Sequence, residues 1–139
     1  MPDSQAFVLD LQKFAKKAQG RMDLVVKKIA LEVLTGIVMK TPVDTGRARG
    51  NWQVDIGSFA LGNISAFDPA GSGTIARGLS VINRQKGEQA LYIVNNLPYI
   101  LRLEDGYSKQ APAGMVELTL QQYPYIVQRA TKAAKAGAP

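Results

Sequence analysis

A regular row of apolar residues dominates the first 40 positions of the chain. They recur every three or four residues, as Phe7, Leu11, Phe14, Ala18, Met22, Val25, Ile29, Val33 and Ile37. This spacing predicts an amphipathic helix over residues 1–41, which Pro42 ends because a residue before proline is pushed out of the helical region. Such a helix would be roughly 50 Å or more in length at its usual rise per residue. A single domain of 139 residues is smaller than that, so the helix either bends at Gly20 or lies partly against another subunit.

The remaining segments alternate between strand and helix patterns. The stretch NWQVDIGSF has the two-residue period of a half-buried strand, and QALYIVNN is rich in β-branched and aromatic residues. Between them, LGNISAFDPAGSG is typical of a loop and TIARGLSVINRQ of a short helix weakened by Gly78. A helical turn ending at Gly106 and a C-terminal helix interrupted before Pro124 complete the chain.

These segments predict one α+β domain over residues 1–139. It has a long N-terminal helix, a small antiparallel or mixed β-sheet, a short middle helix and a C-terminal helix. Residues 133–139 are expected to be a frayed tail.

The composition argues against several kinds of chemistry. The chain has no histidine and no cysteine, which excludes histidine-based hydrolytic triads, thiol nucleophiles and thiolate metal sites. Glu104 and Asp105 are adjacent acids, but no second acidic cluster completes a metal shell. The stretch GSGTIA at 71–76 matches a dinucleotide-binding pattern, yet loop residues precede it where that site needs a buried strand. We therefore predict no catalytic residue, no metal and no cofactor.

The net charge of +6 leaves a second function open. The simplest explanation of the basic residues is a solvated helix face. The alternative is a basic nucleic-acid-binding protein, in which Arg47, Arg49, Arg77 and Arg84 line a groove with Trp52 as the stacking aromatic. Trp52 begins an alternating segment, however, and is better explained as a core residue. No leader or membrane-span pattern occurs, which predicts a cytosolic protein without membrane contact.

Two longer motifs carry a resemblance to a known family. TPVDTGRARGNW covers residues 41–52, and YIVNNLPYILRLEDGYSKQAPAGMV covers residues 92–116. In this order, and within a helix–strand–strand–helix arrangement, they resemble the small neck and tail-completion proteins of long-tailed bacteriophages, which join the head to the tail. The resemblance extends over most of the chain, although residues 57–90 do not contribute to it.

The resemblance implies a non-enzymatic structural protein of the virion. It implies a homo-oligomeric ring, a hexamer or a dodecamer, at the head–tail junction, made in the cytoplasm of the host bacterium. The ring would complete or attach the tail, contact the head-side connector and the tail proteins, and leave a channel through which DNA passes without sequence-specific binding.

The two motifs supply the candidate residues for an interface or for a clasp between loops. Asp44 and Thr45 can bond neighbouring backbone N–H groups, and Gly46 permits a turn conformation denied to other residues. The full set of candidates is Asp44, Thr45, Gly46, Arg47, Arg49, Trp52, Asn96, Tyr99, Glu104, Asp105, Gly106 and Lys109.

Pairing between the motifs is expected to use their charged residues. Arg47 and Arg49 should point outward from the turn, and guanidinium groups pair well with carboxylates such as Glu104 or Asp105. Within one chain such a pair would clasp the two loops together; between chains it would be a ring contact. We favour the clasp, because both loops flank the same predicted sheet.

Overall fold

The computed structural model of the protein describes residues 6–9, 22–58, 61–65, 67–86, 89–106, 110 and 114–135. The chain forms an α+β domain, as the sequence predicts. In chain order the described elements are β1 (Ala6–Leu9), α1 (Met22–Lys40), α2 (Arg47–Gly50), β2 (Gln53–Ile56), α3 (Ser72–Ile82), β3 (Leu91–Val94), α4 (Ile100–Glu104), α5 (Val116–Gln121) and α6 (Tyr123–Lys135).

The described strands form one antiparallel sheet in the order β1-β3-β2. The central strand β3 pairs with both neighbours, so that Val94 lies opposite Ala6 on one side and Gln53 on the other. Both predicted strands are confirmed.

The predicted helix over residues 1–41 is wrong at its start, because residues 6–9 are the strand β1. Phe7 fits a helical row, but four residues are too few to fix a period, and pairing along β3 satisfies their backbone groups instead. Residues 10–21, with the expected bend at Gly20, lie outside the described residues. In the described part of the chain α1 spans Met22–Lys40, which is 19 residues.

The apolar row is confirmed in α1. Val25, Ile29, Val33 and Ile37 are all fully buried, and this helix packs against α3, α5 and α6. Complete burial of one such side chain contributes about 1.5–3 kcal/mol, so the face of α1 supplies much of the core energy.

The predicted middle helix is confirmed as α3. The glycine within it, Gly78, is explained by close packing. A Cβ on Gly78 would lie 2.3 Å from Leu34 Cδ2 and 3.0 Å from Val54 Cγ2. The missing side chain therefore lets α3 approach α1 and β2 closely.

The helix begins at Ser72. The GSGTIA stretch therefore opens a helix, where the sequence predicted a loop.

The C-terminal helix is interrupted as predicted. Helix α5 ends at Gln121 and α6 begins at Tyr123, so Pro124 falls in a first turn, where a missing N–H costs nothing. Lys40 Nζ ties the end of α1 to this break by donating to Gln122 Oε1 at 3.0 Å, and burial lowers the pKa of Lys40. Helix α6 continues to Lys135, so the first residues of the expected tail lie in its last turn; residues 136–139 lie outside the described residues.

Candidate functional site: the junction of the two motif loops

The first motif loop begins with a buried chain of hydrogen bonds at the end of α1. Thr41 Oγ1 donates to the carbonyl oxygen of Ile37 at 2.7 Å and accepts the indole N–H of Trp52 at 2.8 Å. Trp52 is only 3% exposed, which confirms it as a core residue. Because a buried indole N–H needs a partner, Thr41 fixes where the loop returns to the domain.

The turn at Gly46 is confirmed by its backbone geometry. Its φ of 90° is in the left-handed region, and its carbonyl accepts the N–H of Gly50 at 2.9 Å and of Asp68 at 3.0 Å. Thr45 Oγ1 accepts the N–H of Arg47 at 3.3 Å, as expected for a turn side chain. The matching bond expected of Asp44 does not form among the described residues, and Asp44 is exposed.

Arg49 does not point outward, contrary to the expectation. Its guanidinium donates to three backbone carbonyls: Met39 at 3.0 Å, Thr41 at 3.1 and 3.2 Å, and Pro69 at 2.8 Å. The last carbonyls of a helix lack partners inside it, and a cation is favourable there. Arg49 thereby joins the end of α1 to the segment before α3.

Arg47 points outward as predicted. Its side chain is exposed and makes no hydrogen bond or ion pair within the described residues. It borders a surface hollow of about 250 Å³ together with Asn63, Ile64, Ser65 and Phe67.

In the second motif loop, Glu104 holds the start of α5. Its Oε1 accepts the N–H groups of Met115 and Val116, and its Oε2 accepts that of Glu117, each at 2.9 Å. Unpaired amides at a helix start attract a carboxylate, which explains why Glu104 is turned away from the arginines. Asp105 is exposed and unbonded through its side chain in the described part of the chain.

The predicted pairing of Arg47 or Arg49 with Glu104 or Asp105 inside one chain is therefore wrong. Gly106 does end α4 as predicted, with φ of 86° and its N–H 3.1 Å from the carbonyl oxygen of Leu103.

The two loops nevertheless meet, through amide side chains. Gln110 Nε2 donates to the carbonyl oxygen of Val43 at 3.0 Å, and its Oε1 accepts the N–H of Val43 at 2.8 Å. Deeper in the fold, Asn95 Nδ2 donates to the carbonyl oxygen of Ala48 at 2.9 Å. The loop clasp thus exists, but Gln110 and Asn95 form it.

Two further candidates flank this junction. Asn96 Nδ2 donates to the carbonyl oxygen of Gly62 at 3.0 Å and so positions the segment after β2. Tyr99 lines a hollow of about 210 Å³ between the loops, with Pro42, Val43, Asp44, Leu103 and Gln110 among its other walls. Lys109 lies outside the described residues.

Asp68 holds the start of α3. Its carboxylate accepts N–H bonds from Gly71 at 3.1 Å and Thr74 at 2.7 Å, and the hydroxyl of Thr74 at 2.7 Å. Burial alone would raise the pKa of Asp68, but these bonds, with the nearby charge of Arg77, outweigh it and lower the pKa. The amides at which a dinucleotide phosphate would bind are thus taken by the chain's own carboxylate.

The arginine groove of the nucleic-acid alternative does not form. Trp52 is buried, and Arg77 Nη2 donates to the carbonyl oxygens of Gly50 and Trp52, both at 3.0 Å. Since Arg49 is likewise bound to carbonyls, only Arg47 and Arg84 of the four arginines keep exposed side chains without such bonds.

Four polar residues of the junction were missed as candidates: Asn51, Asp68, Asn95 and Gln110. Asn51 is fully buried. Its Nδ2 donates to the carbonyl oxygen of Ile64 at 2.9 Å, and its Oδ1 accepts the N–H of Ile64 at 2.7 Å. Asn51, Asn95 and Gln110 lie inside the two motifs, and Asp68 has a signal of its own as an acidic residue just before a helix pattern.

In comparisons with known proteins, the chain matches no family model, no curated protein and no solved structure. Within the described ranges, no three acidic residues gather into a metal-binding group, and no helix has the length and apolarity to cross a bilayer.

Proposed function

We propose that the protein is a structural component of the bacteriophage neck, forming a ring at the head–tail junction. The ring, a hexamer or dodecamer, completes or attaches the tail between the head-side connector and the tail proteins, and DNA passes through its channel. The proposal starts from the resemblance of the two motifs to neck and tail-completion proteins.

One observation carries the proposal beyond that resemblance: the two motifs build a single junction. Val43 of the first motif and Gln110 of the second are 67 positions apart, yet two hydrogen bonds join them. Motifs that pack together in this way are expected when they define one structural unit.

The use of the polar side chains supports a mechanical role. Arg49, Glu104 and Asn95 all bond to backbone groups of the same chain. Groups engaged in this way hold loops in shape, whereas a catalytic group must be free to reach a substrate. We therefore propose that the protein is not an enzyme.

The test is to locate the protein in intact particles of the phage that encodes it. Immunogold labelling should mark the head–tail junction, and negative-stain images of purified assemblies should contain rings. Label along the tail shaft, or none on assembled particles, would reject the proposal. Tight DNA binding that weakens steeply with salt would favour the nucleic-acid alternative.

A further inference from the structure

The first motif loop carries two exposed side chains of opposite charge, Asp44 and Arg47. Asp44 and Arg47 are three positions apart and exposed, and neither has an ion-pair or hydrogen-bond partner for its side chain in the described part of the chain. Their neighbours Arg49 and Glu104 are both fully engaged with backbone groups. The backbone of the loop is held by the hydrogen bonds of Gly46, Val43 and Arg49, so the two side chains start from defined backbone positions.

Asp44 stands at the edge of the hollow between the loops, which we call the Asp44 hollow. Pro42 and Leu103 give it apolar walls, and Tyr99, which is 36% exposed, also lines it. The hydroxyl of Tyr99 has no hydrogen-bond partner among the described residues. Apolar walls beside a free carboxylate and a phenol suit a long basic side chain, whose stem packs while its charged head is paired.

Arg47 stands on a second and different surface, which we call the Arg47 patch. It comprises Arg47 and the residues that border the same hollow, among them Phe67, whose side chain is apolar and 59% exposed. Asn51 bonds both backbone groups of Ile64, so the loop around Ile64 is anchored to the domain. A cation beside an exposed apolar side chain is typical of a protein-binding surface.

We propose that the Arg47 patch of one copy docks into the Asp44 hollow of a second copy of this chain. A second copy is the occupant that the charges favour, because the hollow has an unpaired carboxylate and the patch has an unpaired guanidinium. The proposal rests on the function proposed above. Since the two surfaces differ, the contact is head-to-tail, and contacts of that type close into rings when the rotation permits.

Charge reversal tests the pairing between copies. Asp44→Arg and Arg47→Asp should each weaken assembly roughly tenfold or more, because like charges then meet across the contact. Mixing the two single variants should restore assembly, since the changed hollow of one then meets the changed patch of the other, and the two unchanged surfaces also fit each other. Sedimentation velocity measures the assembled fraction, and Glu117→Arg and Arg84→Asp are control reversals outside both surfaces.

Thiol cross-linking extends the test to weak association, because the chain has no cysteine of its own. Asp44→Cys and Arg47→Cys proteins, mixed and treated with a short bis-maleimide, should give a cross-linked dimer. Each variant alone, or either one mixed with Arg84→Cys, should give much less. Circular dichroism melts check that every variant is folded, as expected for changes at exposed positions.

The outcomes separate this inference from the proposed function. If both reversals assemble like the unchanged protein, or if the thiol mixture gives no specific product, the pairing is overturned while a ring at the head–tail junction still stands. If the reversals assemble normally but fail to enter particles, these surfaces bind another virion protein and the pairing is again overturned. Labelling away from the junction rejects the proposed function instead, whatever the cross-linking yields.

Discussion

Replacing Gly46 with alanine tests the geometry of the first motif loop most directly. Gly46 and Gly57 have nearly equal positive φ values, 90° and 83°, but different surroundings. A Cβ on Gly46 would lie 2.4 Å from Pro69 N and 2.8 Å from the carbonyl carbon of Asp68, whereas a Cβ on Gly57 would have nothing within 4 Å. Gly57→Ala is therefore a matched control for the cost of the backbone conformation alone.

The expected difference follows from these contacts. Both substitutions place alanine in the left-handed region, which costs about 1 kcal/mol. At Gly46 the Cβ also collides with backbone, which costs about 1–3 kcal/mol. The displaced segment then loses the bond from Asp68 N to the carbonyl oxygen of Gly46, 3.0 Å long, whose loss costs about 1 kcal/mol. We expect Gly46→Ala to lower the free energy of unfolding by about 3–4 kcal/mol in total, since these terms overlap.

Thermal and urea unfolding followed by circular dichroism measure this difference. In a domain of this size 1 kcal/mol shifts Tm by about 3–4 °C, so we expect shifts of about 10 °C for Gly46→Ala and about 3 °C for Gly57→Ala. Equal shifts for the two variants would refute the close approach of residues 68–69 to the loop.

Three further predictions address the charged residues of the junction. Glu104→Gln should cost about 1–2 kcal/mol in unfolding free energy, because an amide leaves one N–H of α5 without an acceptor, while Asp105→Asn should be nearly neutral; equal effects would count against the bonds to α5. Arg49→Lys should cost about 2 kcal/mol, since an ammonium cannot reach three carbonyls at once, and Arg47→Lys should leave urea unfolding unchanged; a harmless Arg49→Lys would contradict the bonding at the end of α1. The pKa of Asp68 is lowered from 3.8, so its stabilising contribution is complete above that value and declines as pH falls through the lower folded-state pKa. The stability deficit of Asp68→Asn should therefore shrink on acidification, and a deficit independent of pH would contradict the bonds to its carboxylate.

Apolar periodicity predicted the elements in which the same spacing recurs over several turns. Val25, Ile29, Val33 and Ile37 repeat the same signal over about three turns of α1, and all four are buried. The strand β1 lacked such repetition, because its pairing partner β3 lies more than 80 positions away and leaves no trace in the local pattern.

The candidate site was harder to predict because backbone groups are invisible in a sequence. Arg49 and Glu104 have opposite charges and lie in paired motifs, so a salt bridge was the natural expectation. Each instead bonds to partner-less groups at a helix end, which exist only once the helices have formed. Gln110 likewise acts on the backbone of Val43, a contact that no side-chain pattern indicates.

The placement of Trp52 has a practical consequence. It is the only tryptophan in the chain, and its indole is sealed behind the first motif loop. Fluorescence excited selectively at tryptophan therefore reports on the packing of the first motif loop without an added label. Docking at the Asp44 hollow or the Arg47 patch should leave the emission wavelength unchanged, whereas opening of the loop should shift it to the red as water reaches the ring.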